Sequence, residues 1–270
     1  MAYFFIIRPI NCIITFISVF AGAWVAREMV FGDRLFFAGA VGFLVCAFGN
    51  IVNDIADIEV DKINNPKRPL AAGKVSKSAV LIMAVLFSLV ALTIAGIIGT
   101  LPLVLAIMAL VFLFFYAVYF KKTPIGNLVV ALIAGLSFVL GGAITGNRYC
   151  IIPFVFALLV HTAREIVKDQ IDIEGDRIGQ VHSLPILLGE EKANYISGLI
   201  LALLCLAMPL PFVFRLLGIA YIVVLVAGAY PLLIYVILRL LNKPKHKELI
   251  RLSILVKVSM GVGLIAFILG

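Results

Sequence analysis

Long apolar segments recur along the whole chain and leave few other architectures open. Nine of them approach the roughly 20 residues that an α-helix needs to cross the apolar core of a bilayer. They cover residues 9–30, 35–57, 78–98, 101–120, 127–145, 151–169, 193–214, 216–241 and 249–269. With 64% hydrophobic and 13% charged residues, the composition indicates a polytopic membrane protein. The sequence therefore predicts one all-α domain over residues 1–270, with nine transmembrane helices.

Two acidic motifs of identical spacing follow the second and sixth apolar segments. Both have the pattern DxxDxxxD, and the second begins 115 positions after the first. The six aspartates are Asp54, Asp57, Asp61, Asp169, Asp172 and Asp176. A helix that continued through such a motif would carry its three carboxylates on one face. Because the motifs end segments that are four helices apart, the sequence indicates two parallel four-helix units and a ninth helix.

Basic residues are concentrated in alternate connections, namely those after the second, fourth, sixth and eighth apolar segments. The positive-inside rule places these connections in the cytoplasm, so we expect both acidic motifs and the N-terminus inside the cell and the C-terminus outside. The net charge of +8 therefore favours anionic membrane lipids and phosphorylated substrates as partners, and it does not indicate nucleic acid.

Carboxylates clustered at the ends of membrane helices repel one another and are costly to desolvate, so they indicate cation binding. Carboxylate oxygens without supporting His or Cys favour Mg²⁺, whose ligand shell is typically completed by water and substrate phosphates. Eight cationic residues flank the motifs or lie between them: Lys62, Lys67, Arg68, Lys121, Lys122, Arg164, Lys168 and Arg177. Mg²⁺ together with Arg and Lys stabilises a departing diphosphate. The sequence thus predicts cleavage of a lipid diphosphate at a membrane interface.

Three stretches carry a resemblance to a known family. Residues 53–61 and 65–70 have the sequences NDIADIEVD and NPKRPL, and residues 169–176 have the pattern DxxDxxGD. Together with the Tyr/Lys-rich connection YAVYFKKTPIGN at 116–127, they resemble the signatures of the UbiA superfamily of intramembrane prenyltransferases. This resemblance implies a nine-helix bundle around a central cavity that holds Mg²⁺ and an isoprenyl diphosphate.

The resemblance also implies roles for individual residues. Metal ligands are expected at Asn53, Asp54, Asp57, Asp61, Asp169, Asp172 and Asp176. The six aspartates among them are the catalytic candidates. Substrate contacts are expected from Asn50, Asn53, Lys67, Arg68, Tyr116, Lys121, Lys122, Arg164 and Lys168.

The acceptor is suggested by two further sequence features. Residues 8–11, with the sequence RPIN, and the GNLVV run at 126–130 resemble the archaeal branch of the superfamily that makes ether lipids. This implies geranylgeranyl diphosphate as the donor and geranylgeranylglyceryl phosphate as the lipid acceptor. A 4-hydroxybenzoate or other quinone-precursor prenyltransferase stays open as the alternative. A cation transporter and a CDP-alcohol phosphotransferase are more distant, because two separate motifs lie at helix ends beside phosphate-binding cations.

Several side chains permit two interpretations. Tyr116 and Tyr119 suit either cation–π contact with an allylic cation or an interfacial aromatic belt. Asn50 and His161 either line the site or hydrogen-bond between helices. Lys257 lies deeper than a loop residue and either snorkels to the surface or binds a headgroup.

Two smaller expectations concern packing and exposure. Gly135, Gly141 and Gly142 are expected to permit close helix packing, because a residue without a side chain lets two backbones approach. Glu59 and Glu174 fall off the acidic face of their motifs and are expected to be exposed.

Overall fold

The computed structural model describes residues 1–27, 29 and 31–270, and every regular element within them is helical. The α-helices, in chain order, are α1 (Ala2–Ile6), α2 (Pro9–Trp24), α3 (Asp33–Ala56), α4 (Ile58–Asn64), α5 (Lys77–Ile98), α6 (Thr100–Val118), α7 (Gly126–Thr145), α8 (Ile151–Ile171), α9 (Ile173–Ile178), α10 (Leu184–Leu188), α11 (Glu190–Ala207), α12 (Leu210–Val213), α13 (Ile219–Val224), α14 (Tyr230–Leu241) and α15 (His246–Leu269). The all-α fold class predicted from the sequence is therefore confirmed.

Eight helical segments are long and apolar enough to cross a membrane. They are Asp33–Ala56, Lys77–Ile98, Thr100–Val118, Gly126–Thr145, Arg148–Ile171, Glu190–Val213, Ile219–Leu241 and His246–Leu269. The first predicted span is shorter than expected, because α2 has 16 residues and ends at Trp24. The predicted end of that span, Val30, lies outside the described residues. The count of nine membrane-length helices is therefore not confirmed, although eight of the predicted spans correspond to such a segment.

The eighth predicted span continues through a proline. A π-helical turn at Leu225–Ala229 joins α13 to α14, and Pro231 is the second residue of α14. Proline cannot donate to the carbonyl four residues earlier, and a local π-turn is one way in which a helix absorbs the lost bond. The segment Ile219–Leu241 therefore remains one span with a local irregularity, as the sequence predicts.

The helices pack as two groups. Helices α2, α3, α5 and α6 pack against one another, and α7, α8, α11 and α14 form a second packed series. Helix α15 packs on α8, α13 and α14 and also against α2. One buried apolar cluster comes mainly from the first group but includes Leu140 of α7, and another comes mainly from the second group but includes Ala21 of α2. Because a membrane bundle gains little from burying apolar surface against lipid, this interior packing of close-fitting helices holds the two groups together.

Both acidic motifs interrupt a helix at their middle aspartate. Asp57 separates α3 from α4, and Asp172 separates α8 from α9. Their backbone angles are nearly the same, with φ −97° and ψ 7° at Asp57 and φ −96° and ψ 6° at Asp172. Each motif thus lies on a bent helix rather than on an uninterrupted one. The matching junctions are the structural counterpart of the sequence repeat, and α4 packs against α9.

Glycines permit the closest approach between the two groups, where α2 meets α7. A methyl group added at Gly141 would overlap the backbone of Val19, and one added at Gly22 would overlap the backbone of Phe138. A methyl group added at Gly135 would lie 2.7 Å from the Phe154 ring of α8. The expected packing role is therefore confirmed for Gly135 and Gly141, whereas a methyl group at Gly142 would meet Cys150 and Asn147 in the turn that follows α7.

Gly141→Ala should lower stability by about 1–3 kcal/mol, because neither backbone can retreat from the added methyl group. Gly261→Ala is the matched control, since no heavy atom lies within 4 Å of a methyl group added at that position. Thermal unfolding of both variants in detergent measures the difference. Equal midpoints for the two variants would contradict this account of the interface.

Candidate active site

A cavity of about 400 Å³ lies inside the bundle and is lined by residues of both acidic motifs. Part of its wall is apolar and includes Val41, Leu113, Phe138, Phe156 and Leu264. The rest of the wall is strongly charged. Apolar walls suit a hydrocarbon chain, whereas a few convergent charged groups fix a polar end. The cavity therefore fits an amphiphilic ligand that has an anionic or metal-bound head.

The first motif is held by two arginines. Arg68 Nη1 lies 2.7 Å from Asp61 Oδ1 and 2.6 Å from Asp61 Oδ2, and 3.6 Å from Asp54 Oδ1. Arg8 forms a second ion pair with Asp54. Burial raises the pKa of Asp61, and the Arg68 guanidinium opposes this shift. The short segment α4 thereby carries its carboxylate into the cavity with a cation already beside it.

The middle aspartate of the first motif has another partner. Asp57 forms an ion pair with Lys121, which follows α6 in the chain. One turn earlier on α3, Asn53 Oδ1 is buried and accepts no hydrogen bond from any described residue. A buried acceptor that lacks a donor carries a desolvation penalty, so this oxygen is available to a cation.

The second motif has a different environment. Asn127 Nδ2 donates to Asp169 Oδ2 at 2.7 Å. Among the described residues, no Lys, Arg or His nitrogen lies within 4 Å of the carboxylates of Asp169, Asp172 or Asp176. Burial raises the pKa of Asp172, and burial together with the Asp172 charge raises the pKa of Asp176 to about 6. This side of the cavity is therefore rich in carboxylates and poor in direct counter-charges.

Asn64 ties the two motifs together. Its Nδ2 donates to the Asp172 carbonyl at 2.9 Å, and its Oδ1 accepts from the Gly175 N–H at 3.0 Å. A side chain at Gly175 would overlap the Asn64 amide, which explains why glycine stands in the DxxDxxGD pattern. The sequence analysis did not identify Asn64, although it directly precedes the NPKR stretch of the first signature.

A cationic cluster lies on α8 near the second motif. Glu165 accepts from Lys168 Nζ at 2.6 Å and from Arg164 Nη1 at 3.1 Å. The Arg164 Nε also donates to the Ser253 carbonyl of α15 at 3.4 Å. Two cations thus share one carboxylate, and all three side chains line the cavity.

Most of the predicted substrate contacts are brought to the cavity. Those that line it are Asn50, Asn53, Arg68, Tyr116, Lys121, Arg164 and Lys168. Two are not brought there: Lys67 and Lys122 are exposed and lie outside the cavity lining. In each case the neighbouring cation along the chain, Arg68 or Lys121, lines the cavity instead. Of the six aspartates, Asp54 alone does not line the cavity, because it is buried behind its two arginine partners.

The side chains with two interpretations divide as follows. Tyr116 is buried and lines the cavity, whereas Tyr119 is exposed and stacks edge-on against Phe120. Asn50 satisfies both interpretations, since it lines the cavity and donates to the Ile7 carbonyl at 2.8 Å. His161 also lines the cavity. Glu59 and Glu174 are exposed, as expected.

The oxygen donors fit Mg²⁺ as a partly protein-bound ion rather than as a caged one. In the described part of the chain, no three carboxylate, imidazole or thiol side chains converge closely enough to enclose a metal ion. Mg²⁺ sites of enzymes commonly use one or two carboxylates and complete their shell with waters and substrate phosphates. The open Asn53 Oδ1 and the neighbouring Asp57 supply such a partial set.

Fold and site together define a multi-pass membrane protein with a buried charged centre beside an apolar chamber. The sequence profile of the UbiA prenyltransferase family matches residues 15–256, and the chain belongs to this family. The resemblance noted in the sequence and the enzyme class that it implies are thereby confirmed.

Individual relatives agree with this assignment. The digeranylgeranylglyceryl phosphate synthase of Methanococcus maripaludis (strain C6) is 37% identical over 272 residues, which cover 100% of this chain and 97% of the relative. A solved structure from work on digeranylgeranylglyceryl phosphate synthase in membranes aligns with a TM-score of 0.79 and 34% identity, covering 100% of this chain and 97% of that one. A UbiA homologue from Archaeoglobus fulgidus bound to GPP and Mg²⁺ aligns with a TM-score of 0.68 at 19% identity, covering 99% of each chain.

Asn64→Ala should lower the turnover of prenyl transfer by about 10- to 100-fold, because small displacements of catalytic groups have effects of this size. The midpoint of thermal unfolding should change little, because α3 and α8 are held by their packing against neighbouring helices. Asn242→Ala is the control, because Asn242 is exposed and donates only to Leu238 O in its own helix. Steady-state kinetics and thermal unfolding of both variants test the role of the Asn64 hydrogen bonds to the second motif. Wild-type turnover in Asn64→Ala would show that these hydrogen bonds do not position the catalytic groups.

Proposed function

We propose that this protein transfers a geranylgeranyl group from geranylgeranyl diphosphate to the glycerol hydroxyl of geranylgeranylglyceryl phosphate. The observation that carries the proposal is the pair of acidic motifs, which line one cavity together with Arg68, Lys121 and an apolar chamber. The full-length similarity to a digeranylgeranylglyceryl phosphate synthase supports this choice of donor and acceptor within the family.

The residues that would hold Mg²⁺ come from both motifs. The first motif offers Asn53, Asp57 and Asp61 at the cavity wall, with Asp54 paired to Arg8 and Arg68 next to them, and the second offers Asp169, Asp172 and Asp176. The Archaeoglobus fulgidus homologue is bound to GPP and Mg²⁺, which supports Mg²⁺ as the metal. When bound, Mg²⁺ neutralises negative charge that develops on the departing diphosphate.

Protein side chains would bind the diphosphate, hold the isoprenyl chain and stabilise the allylic cation. Arg68 and Lys121 are within reach of the same cavity as the aspartates and supply positive charge to the diphosphate oxygens. The apolar wall holds the isoprenyl chain and excludes water, which would otherwise capture an allylic cation. Tyr116 presents a buried aromatic ring from that wall, where its face can attract the cation.

We also propose that the charged end of the cavity faces the cytoplasm of the cell, with the N-terminus inside and the C-terminus outside. The concentration of Lys and Arg in the connections beside the acidic motifs supports this orientation. It gives both substrates access to the site from the cytoplasmic leaflet.

The choice of acceptor is tested by direct competition. Purified protein with Mg²⁺ and geranylgeranyl diphosphate should prenylate geranylgeranylglyceryl phosphate and leave 4-hydroxybenzoate unreacted, as followed by product mass. A prenylated benzoate in place of the lipid ether would preserve the mechanism and overturn the acceptor. Absence of diphosphate release with either acceptor would overturn the proposed chemistry.

Asp172→Asn should lower turnover by about 100-fold or more. The amide lacks the negative charge with which Asp172 would hold the metal beside the diphosphate. The isosteric amide keeps the helix junction, so thermal unfolding should change little. Glu174→Gln, two residues later and exposed, is the matched control and should retain activity. Chelation of divalent cations should abolish turnover in the wild type, and added Mg²⁺ should restore it. Full activity in Asp172→Asn would refute the role of this motif.

A further inference from the structure

Lys257 is a half-buried cation that the proposed chemistry of the donor does not use. It lies in the middle of α15, 11 residues after the helix begins, which corresponds to roughly 16 Å along the axis. Its side chain does not snorkel outward but lines the central cavity. Its Nζ donates to Asn11 Oδ1 at 2.6 Å. Among the described residues, no carboxylate lies within ion-pair distance of it.

Three other cations, Arg8, Arg164 and Lys168, line the same cavity as Lys257. The Arg164 Nε donates to the carbonyl of Ser253, which lies one turn before Lys257 on α15. Arg164 and Lys168 share the single carboxylate of Glu165, and Arg8 pairs with Asp54. This corner, formed by α2, α8 and α15, therefore holds more positive than negative charge.

Arg8 adds a further cation to the cavity wall. It directly precedes α2, and its side chain lines the same cavity as Lys257 and Arg164.

Unneutralised cations inside a membrane bundle are costly, so a cluster of this kind indicates an anionic ligand. The donor diphosphate is already matched by Arg68, Lys121 and the Mg²⁺ that the two motifs would hold. The acceptor of the proposed function carries a second anionic group, a phosphate monoester. Its dianionic charge suits several converging cations better than the single charge of an aromatic carboxylate does.

We infer that Lys257, together with Arg164, Arg8 and Asn11, binds the phosphate monoester of the acceptor lipid. The inference rests on the proposed function and identifies the part of the cavity that selects a phosphorylated glycerol lipid. The donor diphosphate and the acceptor phosphate then occupy separate cationic regions of one cavity. Arg8 and Arg164 line this cavity, and their positive charge reduces the electrostatic repulsion between the donor diphosphate and the acceptor phosphate.

The test compares two acceptors, geranylgeranylglyceryl phosphate and its phosphate-free counterpart geranylgeranylglycerol, with wild-type protein and Lys257→Met. For the phosphorylated acceptor, Lys257→Met should lower kcat/KM by about 10- to 100-fold, the range expected for one charge-assisted contact. For the phosphate-free acceptor, the two proteins should have equal kcat/KM. The KM for the donor should not change. Lys257→Arg should restore part of the loss, because it keeps the charge.

Lys247→Met is the matched control, since Lys247 is an exposed lysine near the start of the same helix. It should behave as the wild type with both acceptors. An equal loss with both acceptors in Lys257→Met would assign Lys257 a structural role, and a raised donor KM would assign it to the diphosphate. A loss of thermal stability in anionic lipid micelles without any change in acceptor preference would assign it to a bulk headgroup. Each of these results overturns the inference.

Failure of the proposed function gives a different result. Wild-type protein would then transfer the prenyl group to neither glycerol lipid, and the assignment of Lys257 would fall with it. Wild-type transfer to the phosphorylated acceptor that Lys257→Met leaves undiminished would overturn this inference alone.

Discussion

Neutralisation of charge inside an apolar bundle is the constraint on which the rest of this structure depends. Ionised groups are tolerated within a membrane protein only where they face a partner, a cavity or a ligand. Here the charged side chains meet this condition by lining one interior space, in pairs such as Arg68 with Asp61 and Lys168 with Glu165. Because these charged side chains face the interior, the outer faces of the helices can be almost wholly apolar. This separation accounts for the long apolar runs in the sequence.

The bent helices convert this charge pattern into a site. A straight helix through DxxDxxxD would carry its last aspartate away from the cavity along the helix axis. The helices break at Asp57 and at Asp172, and the short helices that follow, α4 and α9, pack against each other. Asn64 then fixes their separation through two backbone bonds to the second motif. The two copies of the repeat therefore contribute to one centre rather than to two.

The sequence predicts the features of this arrangement that depend on residues close together in the chain, such as the helices and the spacing of the aspartates. The apolar run at 78–98 corresponds to α5 and the run at 127–145 to α7, each within one residue. The six aspartates were identifiable from spacing alone. The contacts of Asn64 and Lys257 could not be predicted from the sequence. Their partners are 108 and 246 residues away in the chain, and no periodic pattern encodes such contacts. Lys67 and Lys122 show the converse, since they are close to a motif in sequence but are exposed and lie outside the cavity lining.

The distribution of counter-charges explains how one cavity can serve two anionic substrates. The carboxylates of the first motif already contact Arg68, Lys121 and Arg8, whereas those of the second motif contact no cationic side chain in the described part of the chain. A metal-bound diphosphate that approached the second motif would meet uncompensated carboxylates, while its own oxygens would compete for the cations of the first. Arg68 and Lys121 line the same cavity as the second motif, so each can exchange its carboxylate partner for a phosphate oxygen within that cavity. We therefore expect the donor to bind by exchange of ionic partners rather than by adding uncompensated charge to the bundle.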